Sequence, residues 1–263
     1  MSIWSRLLRR SLSAEALLIL AWLWPGAAHA DLTETIRQVK PSIVAVGTFQ
    51  RARSPQFHLL GTGFVVGDGS LIATNSHVVP TTLDEEHFEE LIVISMPSPG
   101  TQQAFKVAKV GSDPTHDLAL LKLTGARLAP LTLGDGGQGR EGQSIAFTGY
   151  PIIGILGPNP ATHRGIVAAI TPIVLPQQGS AQLNAQAVRR AREGAFNVLQ
   201  LDATAYPGNS GSPVFDPDSG VVLAIVNMVF VKGSRESALS QPSGITYAIP
   251  IQYLKSLLAT VGR

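Results

Sequence analysis

Short apolar runs, each closed by turn residues, recur along most of the chain. The first series is Ser42–Phe49, Phe57–Val66, Leu71–Thr74, Leu91–Ser95, Ala104–Val110 and Leu118–Leu123. Turns such as Gly67-Asp68-Gly69 and Pro97-Ser98-Pro99-Gly100 lie between them. A glycine-dense polar stretch, 134–142, reads as a linker. A second series follows: Ser144–Tyr150, His163–Thr171, Asn197–Leu201, Pro213–Phe215, Val221–Val231 and Gly244–Ile249. Runs of this length between turn clusters predict β-strands, and two such series predict an all-β protein of two barrels. Helical spacing occurs at the ends. Leu32, Ile36 and Val39 share one side of a short helix over 31–39, which Pro41 ends. Ile251, Leu254, Leu257 and Leu258 share a face of a closing helix that starts at Pro250. The segment 181–193, rich in Ala, Gln and Arg, reads as a helix inserted between strands. No internal repeat of fixed period is visible.

The first thirty residues follow different rules. Arg6, Arg9 and Arg10 precede an apolar run of nine residues, Ala16 to Trp24, then Pro25-Gly26 and Ala28-His29-Ala30. That layout predicts a signal peptide, 1–30, cleaved after Ala30. Nine apolar residues fall far short of the ~20 that a membrane helix needs, so no stable membrane anchor is expected. Arg9-Arg10 fits a twin-arginine signal poorly, and either export route predicts a periplasmic or secreted protein. The expected domains are then 31–140 and 141–263.

Composition narrows the chemistry. The chain has no cysteine, which removes disulfides, thiol nucleophiles and thiolate metal sites. Without Arg6, Arg9, Arg10 and Glu15, 17 basic residues face 17 acidic ones, so no basic footprint for nucleic acid remains. Charged residues are only 14% of the chain, and Gly and Pro number 26 and 18, a turn-rich globular balance. The loop Asp84-Glu85-Glu86-His87-Phe88-Glu89-Glu90 reads as a solvated acidic loop rather than a cation site. No metal site and no cofactor are expected.

The strongest chemical signal is Pro207-Gly208-Asn209-Ser210-Gly211-Ser212-Pro213. A serine in a glycine-containing tight turn can expose its hydroxyl while backbone N–H groups point into one small space. Such N–H pairs stabilise the oxyanion of acyl transfer. A serine nucleophile also needs a base, and the base an orienting acid. His77 closes an apolar run in Ala73-Thr74-Asn75-Ser76-His77-Val78-Val79, and Asp117 precedes one in Asp117-Leu118-Ala119-Leu120-Leu121-Lys122. The chain order His, Asp, Ser differs from the subtilisin and α/β-hydrolase orders. His116, next to Asp117, is expected to be a bystander, because adjacent strand residues face opposite ways.

Taken in order, these segments resemble the bacterial trypsin-like serine proteases of HtrA (DegP) type. Gly61-Thr62-Gly63-Phe64-Val65, the His77 and Asp117 motifs, Gly149-Tyr150-Pro151 with Arg164-Gly165-Ile166-Val167, the Ser210 segment and Gly244 to Pro250 all have counterparts there. The resemblance implies two six-stranded antiparallel β-barrels of chymotrypsin type and an exported serine endopeptidase acting on polypeptides. It leaves a homo-oligomer open. It implies a triad of His77, Asp117 and Ser210, and an oxyanion hole from Gly208, Asn209 and Ser210. Ala205, Ile225, Val226 and Asn227 would line a small apolar pocket suited to small aliphatic side chains. Thr204 stands where trypsin-type cleavage after Arg or Lys needs an acid, and Asn227 where glutamyl endopeptidases have a histidine. Other departures are visible. HtrA proteases usually continue into a peptide-binding PDZ domain, and none is expected in a chain ending at Arg263. Ser212 replaces the usual glycine, giving the Gly-Asn-Ser-Gly-Ser-Pro of glutamyl endopeptidases, and 181–193 fits neither group. A peptide-binding or chaperone-like module with an unused triad is the alternative, since fold alone does not settle function.

Overall fold

A computed structural model describes residues 31–98, 100–135, 139–151, 159–173, 196–227 and 244–261. The expected signal peptide, the 181–193 insertion, residues 136–138 of the linker and the end of the Val221–Val231 run lie outside them. Asp31 caps the first helix, α1 (Leu32–Val39), its carboxylate accepting the Thr33 N–H at 3.1 Å. Pro41 sits in the 3-10 turn Lys40–Ser42 that ends it.

Twelve strands follow among the described residues. The first six are β1 (Ile43–Phe49), β2 (Phe57–Val66), β3 (Leu71–Asn75), β4 (Glu90–Ser98), β5 (Thr101–Asp113) and β6 (Leu118–Leu123). They close into an antiparallel barrel in the order β1-β2-β3-β6-β5-β4. The next six are β7 (Ser144–Gly149), β8 (Ala161–Ile173), β9 (Phe196–Asp202), β10 (Pro213–Phe215), β11 (Val222–Asn227) and β12 (Ile245–Pro250). They close in the same order, β7-β8-β9-β12-β11-β10. This is the chymotrypsin-like architecture. Register shifts at Val46/Gly47, Lys109/Gly111, Val167/Ala169 and Val214/Phe215 mark bulges that bend the strands toward closure. The final helix, α2 (Ile251–Val261), buries Ile251, Leu254 and Leu257.

Three apolar clusters account for the continuous runs. Val44 and Val46 point into the first barrel with Val65, Ile72 and Leu121. Their neighbours Ile43 and Ala45 point outward into a cluster holding Phe64 and Leu120 of the first barrel, Tyr150, Phe215 and Ile249 of the second, and the buried face of α2. A third cluster, including Phe147, Leu199 and Val214, fills the second barrel. Strands buried on both faces lose the polar alternation of a half-exposed sheet. The connection between barrels starts earlier than the glycines suggest. Leu131 N–H still bonds Val65 of β2, whereas Leu133 already bridges Val222 of β11.

Candidate active site

His77 lies on the 3-10 turn Ser76–Val78 that rolls off the end of β3. The β3–β6 ladder pairs Asn75 with Leu118, which brings Asp117 beside that turn. Asp117 has φ +52°, in the left-handed region that a Cβ disfavours. Its backbone is held there by its own carbonyl, which accepts from the Ser76 N–H at 3.0 Å and from Asn75 Nδ2 at 3.1 Å. Its carboxylate accepts from the His77 N–H at 2.8 Å, His77 Nδ1 at 2.5 Å and Asn227 Nδ2 at 2.7 Å. A carboxylate on Nδ1 places the imidazole proton there and leaves the Nε2 lone pair free to take a proton.

Ser210 sits on a doubled turn, with Asn209 N–H bonded to Tyr206 O at 2.9 Å and Ser212 N–H to Asn209 O at 3.0 Å. Gly208 and Gly211 have φ +102° and +88°. A Cβ on Gly211 would strike the Thr62 carbonyl, and one on Gly208 the Tyr150 carbonyl, so both left-handed corners demand glycine. The turn is tied to both barrels. Thr62 of β2 donates its N–H to Ser210 O at 2.8 Å and its hydroxyl to Gly208 O at 2.7 Å, while accepting the Tyr150 N–H at 2.9 Å. Val226 of β11 accepts the Gly211 N–H at 3.0 Å and donates to Ser212 O at 2.9 Å. The next residue along β11 is Asn227, whose amide reaches Asp117. The nucleophile turn and the His–Asp pair are thus joined through two consecutive residues.

Among the described residues, the N–H groups of Gly208 and Ser210 have no acceptor. Asn209, expected in the same hole, faces the other way. Its N–H is spent on Tyr206, and its buried side-chain amide has neither atom partnered. The buried Ser212 hydroxyl is also unpartnered. Both back onto Gly149, where a Cβ would meet Ser212 Oγ and come within 2.7 Å of Asn209 Oδ1. No hydrogen bond joins Ser210 Oγ to His77 in this structure. Such bonds are often long before substrate binds.

The four residues expected to line one pocket part company. Ala205 and Val226 pack into the second-barrel cluster. Ile225, one residue from Val226, faces the shared cluster instead, as strand alternation requires. Asn227 is committed to Asp117. His116 belongs to a turn and not to a strand, so alternation does not decide its facing, and its Nδ1 lies 2.6 Å from Asp113 Oδ2. The amide of Asn227 and the hydroxyl of Thr62 were the functional contacts that motif reading missed. A polar residue ending the apolar run of β11 was the one sequence signal for the former. Below the turn, His163 stacks on Phe147 at 4.9 Å and lies 5.8 Å from the Tyr206 ring. Its Nε2 is buried without a partner, and burial pushes the imidazole pKa below its ordinary value. In the acidic loop, Asp84 accepts from His87 Nδ1 at 2.8 Å, and Glu89 pairs with Arg53 at 2.8 Å.

The chain matches the Trypsin-like peptidase domain over residues 61–225. It is 30% identical over 201 residues to the "Probable periplasmic serine endoprotease DegP-like" of Halomonas elongata, covering 76% of this chain and 35% of that protein. A protein of the same name from Pseudomonas fluorescens is 28% identical over 264 residues, covering 86% and 48%. The chain therefore spans about a third to a half of the length of these curated relatives. The Rv3671c protease from M. tuberculosis, in its active form, superposes with a TM-score of 0.64 at 20% identity, covering 87% of this chain and 84% of that one. Among the described residues, no helix is long and apolar enough to cross a membrane. The matched stretch includes His77, Asp117 and Ser210, and the chain belongs to the trypsin-like peptidase domain family, with DegP-like serine endoproteases among its relatives.

Proposed function

We propose that the chain is an exported serine endopeptidase that cleaves polypeptides through an acyl-enzyme on Ser210. The observation that carries this is the His77–Asp117 pair, with three N–H donors on one carboxylate. In this reading His77 Nε2 takes the Ser210 proton as Oγ attacks the scissile carbonyl. The negative oxygen settles between the N–H groups of Gly208 and Ser210, one such donor contributing about 3–4 kcal/mol to barrier lowering. His77 then protonates the leaving amine, and water repeats the sequence to release the acid. Thr204, uncharged where cleavage after Arg or Lys needs an acid, favours cleavage after small aliphatic residues. Export rests on the leader-like first thirty residues and on the periplasmic relatives.

The test is labelling by a fluorophosphonate probe. The wild-type protein is expected to react and Ser210→Ala to lose labelling completely, with peptide hydrolysis down about 10⁴-fold or more. Preferred hydrolysis of Arg or Glu peptides would sink the specificity assignment. The missing Ser210–His77 hydrogen bond favours one second reading, a peptide-binding module with an unused triad. Folded wild type that fails to label would select it.

A further inference from the structure

The left-handed backbone of Asp117 is gripped on one side by Asn75 and Ser76. The other side is gripped by the preceding turn. Asp113 Oδ1 accepts the N–H groups of Thr115 at 3.1 Å and His116 at 3.2 Å, closing an Asx-type turn. Its other oxygen takes His116 Nδ1 at 2.6 Å. The imidazole then lies flat on Tyr253, with ring centroids 3.9 Å apart and planes 17° apart. It meets Phe196 edge-on at 4.7 Å and 71°. Phe196 and Tyr253 themselves pack edge to face at 5.4 Å. Tyr253 belongs to α2 and Phe196 opens β9, so the ring ties a first-barrel turn to the second barrel and its closing helix.

We propose that His116 is a positioning residue, whose imidazole, bonded to Asp113 and stacked on Tyr253 and Phe196, locks the 113–117 turn so that Asp117 keeps its carboxylate on His77 Nδ1. The proposal rests on the serine endopeptidase reading for its kinetic consequence, but its geometric content stands apart from that reading. His116 and Asp117 share a peptide unit. A shift of the 113–116 turn displaces the Asp117 Cα, and with it both the carbonyl that Ser76 and Asn75 hold and the carboxylate on His77. Leucine at position 116 would fill the same space without the Asp113 bond. Phenylalanine would keep the stack. Imidazole does both.

The experiment uses the full chain with His116→Ala, His116→Phe, Tyr253→Leu and the His116→Ala/Tyr253→Leu double variant. Three readouts are taken: kcat and KM on an unfolded polypeptide, the low-field proton resonance of His77 Nδ1–H, and thermal melting. The expected result is a kcat loss of about ten- to a hundredfold in His116→Ala and Tyr253→Leu, with KM within about twofold. The low-field resonance moves or broadens in both. His116→Phe, which keeps the stack but not the Asp113 bond, recovers part of kcat, and the double variant loses no more than the worse single one, because Tyr253 acts through the ring at 116. A folded His116→Ala with unchanged resonance and kcat overturns the proposal, as does a His116→Phe no better than alanine. Should His116→Ala not fold, Tyr253→Leu decides on the same readouts. A wild type without turnover or labelling defeats the endopeptidase reading alone, since the resonance still tells whether His116 holds Asp117.

Discussion

The two barrels share one strand order yet contribute to the candidate site in opposite ways. On the first barrel, the Asp117 carbonyl and carboxylate together accept five hydrogen bonds, four of them from the turn and strand end around His77. On the second barrel, the turn around Ser210 keeps two N–H donors without acceptors, with an unpartnered amide and hydroxyl buried behind them. Buried polar groups normally find partners, and exceptions gather where function needs them. The difference separates two physical tasks. A base must be held in one tautomer and orientation, which calls for saturation. An oxyanion hole must offer donors that nothing else uses, which calls for a turn fixed by other means. Thr62, Val226 and the glycine corners are those means.

The sharpest way to break this contrast is to damage one half alone. Gly149→Ala drives a methyl against Ser212 Oγ and Asn209 Oδ1, behind the Ser210 turn. Probe labelling is expected to fall about a hundredfold, while the low-field resonance of His77 stays in place. A next, smaller effect comes from Asn227→Ala, which removes one donor from the saturated half and leaves a buried carboxylate oxygen short of it. Stability should drop by about 1–3 kcal/mol in denaturant titration, with kcat reduced and KM little changed. The smallest effect concerns His163 beneath the turn. Its folded-state pKa lies below the ordinary 6.5, so the unfolded chain takes up the proton first as pH falls. The stability that its neutral ring contributes is complete above about pH 6.5 and is lost as pH drops toward the folded value. His163→Phe keeps the stack and has no proton to bind. Its melting temperature should therefore gain on wild type between pH 7 and pH 5, and parallel melting curves would show that the ring does not titrate there.

The same contrast explains what sequence patterning read well. The twelve strands and both end helices of the described residues were visible, most clearly β1, β6 and β11, which are buried on both faces and form unbroken apolar runs. β5 was read too short, since Thr101 to Gln103 is exposed and polar and belongs to the sheet only through its ladder with β4. Motifs singled out His77, Asp117 and Ser210, but not the facing of their neighbours. The resemblance groups Asn209 with Gly208 and Ser210, yet in the turn its N–H goes to Tyr206 O. The resemblance groups Ile225 and Asn227 in one pocket, yet one faces the shared cluster and the other reaches Asp117, 110 positions away in the chain. His116 was judged by strand alternation, and no local rule reveals an aromatic partner on a helix at the far end of the chain. Long-range packing decided each of these cases.

The hydroxyl of Thr62, a first-barrel residue, touches both the Ser210 turn and Tyr150, just past β7. The site is divided between barrels, and neither barrel holds a complete set of groups. During folding, a chain with one barrel formed has a base without a nucleophile or a nucleophile without a base. Assembly of the site therefore requires docking of the barrels. A molecule of this design has no complete site until its two barrels have closed on each other.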